Sequence, residues 1–574
     1  MVRHANSDQD CGCKTVDKVH RRRIIQGIGG ASVVGAAGCL GDDSDADGDT
    51  GGANGDDSES NGDASQGDED ELVVALPATI QAFDPIQITD GNTRSATGLI
   101  YERLFAIDFD LNPQPLLAES LENIDDTTVE INLREGVEFH NGDPFNASSV
   151  QASIERSIDT ARDGFISPWY DSSEIVDEHT IRFNLLEPFS PLAAEMLPEI
   201  QMVPEGAANG DVDLSEEPIG TGPYLFDEHQ EGSFFRVTRN DNYWYDGSGS
   251  LPPEPPIETI TFRIIEEAST QESALRTGEV DVATMPPAAS AQSLSEEDGI
   301  ILHQITGGTF LDMHFPTEAS PYSNEKVRRG ITQLMPREDI VEVVMEGLAT
   351  PANVIVPPMM EFFLDDDFVE RIENEYTGQN PDRGVELIEE GFDEEGISAP
   401  HETTLLTRNP DEWSRSAEII QLTLEDTGLF DIELTSTDAA SWSDRVGDGE
   451  AARRNEIMHT GITGSPSPWE YFNRIVTESG IPPACCNYGE WVHPRMEELL
   501  DETARTFDRE ERKPMYEEMM ELVASEAPRA LLYWRDRLNA VTEDVTDWTV
   551  FYDEAWQFTT IYSPHTDTYI TLDR

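Results

Sequence analysis

The chain has 574 residues, too many for one compact core, so roughly two to four domains are expected. Its 115 Asp and Glu stand against 37 Lys and Arg, and the resulting charge of −78 repels nucleic acid and anionic lipid headgroups. Residues 1–40 carry +3 and residues 41–70 carry −12, so most of the acid excess lies along the body. That distribution suits a very salty medium, where the Debye length falls to about 3 Å at 1 M and self-repulsion is screened.

The first element is a leader, expected over residues 1–38. Arg21–Arg22, then Ile24–Ile25, fits the twin-arginine export pattern, and a short apolar stretch runs to Ala37–Gly38–Cys39. A Cys directly after Ala-Gly reads as a lipidation site, so Cys39 is the expected anchor to the outer face of the membrane. Residues 39–70 follow as a tether. They are rich in Asp, Gly and Ser, carry no positive charge, and cannot bury enough apolar surface to offset chain entropy. Asp43, Asp45 and Asp47 have calcium-loop spacing, but Asn54 stands where the closing Glu is required. No run of 18 apolar residues occurs beyond the leader, so no membrane span is expected there.

From Glu71 the pattern becomes ordered. Leu72–Leu76 reads as a buried strand. Gly136 and Asn141–Gly142 supply turns, and Asn146 is placed to cap a helix over 147–157; that role competes with a glycosylation sequon at 146–148. PIGTGPY (218–224) holds too much Gly and Pro for a regular element and reads as a sharp connection between strands. Strands and helices alternate onward, which argues α/β domains with parallel or mixed sheets. Two amphipathic helices close the series, at 494–506 (Met496, Leu499, Leu500 on one face) and 509–525 (Met515, Met519, Leu522, Val523).

Several of these blocks carry a family resemblance. LREGVEFHNGDPFNASSVQASIER (133–156), PIGTGPY (218–224), RNDNYW (239–244), TFRIIEEASTQESALRTGEVDVA (261–283), SNEKVRRGITQLMPREDIV (323–341) and LVASEAPRALLYWRD (522–536) stand in family order. Together they resemble the extracellular solute-binding proteins of the dipeptide/oligopeptide/nickel class (family 5), here of haloarchaeal type. The resemblance implies a periplasmic-binding-protein-like α/β fold: two lobes with mixed sheets, a hinge and an extra inserted domain. Lobe I would comprise 71–90, 213–300 and 526–574, the inserted domain 91–212, and lobe III 301–525. It further implies a monomer that captures a small, peptide-like ligand by hinge closure. Its partners would be an ABC permease and ATPase, with no cofactor.

The resemblance also implies a site. Thr407–Arg408–Asn409–Pro410 matches the segment that holds a ligand carboxylate, so Arg408 is the first expected contact. In 461–470, Ser467–Pro468 replaces the Asp-Pro that usually meets the ligand amine; Glu470 lies nearby and Trp469 offers an apolar wall. Thr93, Arg94 and Tyr533, with neighbouring Trp534, are expected to face the cleft. Cys485–Cys486 sits where relatives often close a loop with a disulfide, and either state is open here.

Other ligands fit the same architecture, among them a sugar or a nickel chelate, for which His303, His314 and His459 are available. A non-transport sensor or chaperone on the same fold would read alike. An enzyme is not expected: the sequence lacks HExxH, a phosphate-binding GxxxxGK[ST] loop, GxSxG and a Cys-x-x-Cys pair.

Overall fold

The computed structural model describes residues 70–247, 249–409, 411–463 and 466–574. The leader, Cys39 and all of the tether before Asp70 lie outside them.

An 11-stranded mixed sheet organises the chain. At one end, Glu71–Leu76 lies between Thr259–Ile264 and Val282–Thr284, parallel to both. Its side chains Leu72, Val74 and Leu76 are fully buried, as the apolar run in the sequence predicts. At the other end, His401–Arg408 lies parallel to Phe430–Thr437 and Ile457–Thr463. Two long antiparallel strands, Ile300–His314 and Arg529–Thr542, join the two ends. Residues 300–306 pair with 542–536 on the first side, the register shifts between Thr306 and Phe310, and residues 310–314 pair with 534–529 on the second. Gly307 and Gly308 occupy the shift.

Each side has its own core. The first gathers Leu72, Tyr101, Phe235, Phe262 and Phe558; the second gathers Met313, Ile331, Leu405, Ile457 and Leu532. An inserted four-stranded antiparallel sheet has the order Ala118–Asp125, Thr128–Leu133, Thr180–Leu185, Tyr170–Asp177. Leu99, Ile100 and Tyr101 pack in the first core and Leu104 begins the packing of the insertion. Strand Ile300–His314 runs through position 301, where lobe III was expected to start.

The identifying motifs are structural. Asn146 caps helix Ala147–Glu155 through a reciprocal capping box with Ser149. The His140 amide donates to Gly220 O (2.9 Å) and the His140 ring lies 3.0 Å from Gly222 O, so the two loops hold one another. A Cβ at Gly220 or Gly222 would collide with the backbone carbonyls of Ile100 and Leu99, which explains the glycines. Block 323–341 holds two helices, Glu325–Leu334 and Arg337–Val344. Pro336 disfavours helical backbone at Met335, which is extended. The last two amphipathic helices are Pro494–Arg505 and Arg509–Glu526.

Candidate functional site

The register shift at Gly307–Gly308 lies where the two sides of the sheet meet. The Tyr471 hydroxyl donates to Gly308 O (2.7 Å), and Gly308 N donates to Tyr552 O (3.2 Å). A Cβ at 308 would come within 3.1 Å of the Tyr471 hydroxyl, which would have to give way. The Tyr552 hydroxyl is buried without a hydrogen-bond partner.

Charged groups crowd this crossing. Arg94 bonds Glu199, and Arg162 approaches the same carboxylate at 3.9 Å. Burial pushes Glu199 up, but Arg94, Arg162 and Arg103 outweigh it and hold the carboxyl below its usual range. Asp553 is raised by burial, with Glu199 adding to the effect against Arg94. Glu470, on helix Pro468–Ile475, is raised by burial although Arg474 pairs with it at 3.0 Å. Glu195, from the insertion, is fully enclosed; burial first and then Glu470 push it to about 8. Ser467 and the Glu470 backbone pull the other way, and burial outweighs them.

The insertion also meets the second side directly. Phe189 packs edge-on to Trp469 (5.3 Å), Ser190 N donates to Ala504 O (2.6 Å), and Arg509 donates to Asn112 Oδ1 (2.7 Å). Glu187 pairs with Arg505. These contacts join segments more than 250 residues apart.

A second group lies around Arg408, at the end of strand His401–Arg408. Its guanidinium sits over Trp442 (4.2 Å) and Trp413 (4.8 Å), and it is only half-buried. Nε of Arg408 has no partner. The surroundings continue through Tyr488, edge-on to Trp442 at 5.7 Å, to His314 at 5.5 Å. Beneath them Asp312 and Arg529 form a buried ion pair at 3.0 Å. His459, which burial pushes down to about 4, bonds Thr407 Oγ1 (3.0 Å). Cys485 and Cys486 are joined by a disulfide, with Arg474 Nη2 3.4 Å from Cys486 Sγ.

The expected contacts therefore separate. Arg94 and Trp469 lie at the crossing with Glu470, whereas Arg408 belongs to the aromatic group. Thr93 is fully buried, its Oγ1 accepting from Gln81 N (3.1 Å), and Tyr533 is fully buried, its hydroxyl donating to Glu412 (2.9 Å). Both hold neighbours in place and neither presents free surface. Sequence reasoning missed Glu195, Glu199, Arg103, Arg162, Tyr471, Tyr552 and Asp553 at the crossing, and Trp413 and Trp442 beside Arg408. Trp413 follows Arg408 by five residues, on the helix that the strand feeds, and that was the one readable signal.

The profile of "Bacterial extracellular solute-binding proteins, family 5 Middle" matches residues 112–482. The glutathione-binding protein GsiB of Salmonella typhi is 24% identical over 502 residues, which is 85% of this chain and 93% of that protein. Among solved structures, the periplasmic binding protein DppA of Helicobacter pylori, in complex with the peptide STSA, aligns with a TM-score of 0.69 at 22% identity, covering 88% of this chain and 98% of that one. The oligopeptide-binding protein AppA of Bacillus subtilis, in complex with a nonapeptide, aligns with a TM-score of 0.69 at 20% identity, covering 88% and 99%. The mixed α/β two-lobed fold is that of periplasmic binding proteins. With a profile match over more than half of its length, the chain belongs to family 5 of the extracellular solute-binding proteins.

Proposed function

We propose that this protein is the exported, lipid-anchored binding subunit of an ABC importer in a very salty exterior, and that it closes two lobes on a small peptide-like solute. The observation that carries the reading is the pair of strands crossing between two sides, each with a core of its own and a third core shared by the insertion and the crossing, with a glycine register shift where the strands pass. Such a crossing lets each side move as a body while two strands absorb the rotation. The buried carboxylates and arginines beside it suit a solute bearing both an amine and a carboxylate. Relatives named as binding glutathione or peptides support a ligand of that class.

Within this reading Arg408 and Arg94 are cationic contacts and Trp469 is an apolar wall, while Thr93 and Tyr533 position their surroundings. Lobe I, the insertion and lobe III divide near the boundaries given above. The leader exports the chain, Cys39 carries the lipid, and residues 40–70 let the lobes reach a membrane permease. The protein binds and hands over its solute without making or breaking a bond.

The test is mass spectrometry of the solute that co-purifies at high salt, followed by thermal shift against a peptide panel. A saturable shift with the peptide recovered intact is the expected result. Turnover of the peptide, or no shift with any peptide, would refute it.

A further inference from the structure

A small pocket lies on the side of Arg103 that faces the C-terminal segment. Residues 98–106 and the C-terminal segment 556–565 bound a cavity of about 20 Å³. A buried water needs about 10–15 Å³ on that measure, so there is room for one small occupant.

The polar groups on its wall are unbalanced. Arg103 is 2% exposed, and its Nε and Nη2 have no hydrogen-bond partner. Its guanidinium lies 4.1 Å from the centroid of the Trp556 ring, and Trp556 Nε1 is also buried without a partner. Among the described residues no carboxylate comes within ion-pair distance of Arg103. Glu199 is engaged by Arg94 and Arg162. Glu102, the carboxylate on the wall, accepts from Tyr243 (2.6 Å), Trp244 (2.8 Å) and Thr221 (2.8 Å). His565 is kept neutral, since burial pushes it down to about 3 with Arg103 adding to the effect, and it is 3.0 Å from Ser563 Oγ.

Three N–H donors are thus left over on the wall, and no side-chain acceptor there is left unpaired. A water molecule would accept from two of them at most, and would bring two protons of its own to place. An ion that only accepts matches the set, and Arg103 must share the carboxylates of Glu199 and Asp553 with Arg94 and Arg162, which leaves its own donors unfilled. We propose that this cavity binds one monatomic anion, chloride in a salty medium, held by Arg103 with Trp556 as the second donor. Sulfate and the carboxylate of a larger solute are too big for a cavity of this volume. Its effect is to fasten the C-terminal segment onto residues 98–106.

Two measurements test this. Crystals of the protein grown in potassium bromide should show an anomalous peak within hydrogen-bond reach of the Arg103 guanidinium. In solution, chloride replaces gluconate at constant ionic strength and constant potassium. The wild-type melting temperature should then rise saturably by about 2–4 °C, and Arg103→Gln should lose that rise. Should Arg103→Gln not fold, Trp556→Phe removes one donor while keeping a ring, and should weaken the response. A water or nothing in the cavity of the bromide crystals overturns the proposal, and so does a chloride response that the variant retains in full.

Discussion

Replacing Glu195 by Gln should remove a pH dependence that the wild-type protein carries at the junction between its insertion and helix Pro468–Ile475. Glu195 is fully buried, and burial with the neighbouring Glu470 raises its pKa from 4.5 to about 8 against the hydrogen bonds of Ser467 and the Glu470 backbone. In the unfolded chain it ionises at the ordinary value. Between pH 4.5 and 8 the folded state therefore holds a proton that the unfolded state has lost. Stability from this group is complete below the lower value, falls through that window, and is gone above the upper one. One proton over a window of this width corresponds to about 3–5 kcal/mol, or about 1.4 kcal/mol per pH unit. Gln has nearly the same shape and no charge to release. Melting temperature followed from pH 5 to 9 at constant salt should show the two proteins nearly equal at pH 5, with Glu195→Gln the more stable at pH 9. Glu102, which burial raises to about 7, slopes in the same direction in both proteins and cancels in the difference. Parallel curves for the two proteins would mean that Glu195 is solvated or paired, and the reasoning would fail.

Arg529→Met leaves Asp312 charged in a site with no exposure and should cost about 3–5 kcal/mol. Adding Asp312→Asn should recover about 1–3 kcal/mol of that loss, and a denaturation series in which the double variant is no better than the single would contradict the pairing. Arg408→Ala should weaken a ligand that carries a carboxylate about 10–100-fold by calorimetry; an unchanged affinity would remove Arg408 from the site. Cys39→Ser should release the protein from cells into the medium, and continued sedimentation with membranes would exclude the lipid anchor.

The sequence was most legible where local chemistry decides. The strand at Glu71–Leu76, the Asn146 cap and the two C-terminal helices follow from apolar periodicity and capping rules acting over a few residues. The hydrogen bonds from His140 to Gly220 and Gly222 were not visible, because 80 residues separate the two loops. Strand alternation could not orient Tyr533 and Trp534, because both faces of that strand are buried and alternation then carries no information. The crossing was hardest. Glu195 and Glu199 sit in LAAEMLPE, an apolar helical stretch, and in a chain with 115 acidic residues no single carboxylate stands out. Arg408 could be picked because Thr407–Arg408–Asn409–Pro410 matches the segment that holds a ligand carboxylate in the family it resembles.

The scarcity of basic residues bears on how the interior is built. Of the 37 basic residues 33 are Arg and four are Lys. Among the described residues Arg103, Arg162, Arg328, Arg337, Arg529 and Arg537 are buried, and neither Lys326 nor Lys513 is. Several of them act as staples between distant segments. Arg328 donates to Tyr322 O (2.8 Å) and Glu526 O (2.6 Å), Arg337 to Leu531 O (2.7 Å) and Thr377 O (2.6 Å), and Arg529 to Ile475 O (2.8 Å). A guanidinium offers five donors in a fixed plane and can serve two carbonyls at once, whereas an ammonium offers a strongly hydrated point charge that resists burial. In concentrated salt, surface ion pairs are screened within about 3 Å and contribute little, while buried ones are screened much less. A chain that must keep its surface acidic gains most from its few cations by placing them where salt does not reach. Arg103 fits this pattern except that it has no carbonyl or carboxylate to staple, and that exception is what an anion in its cavity would resolve.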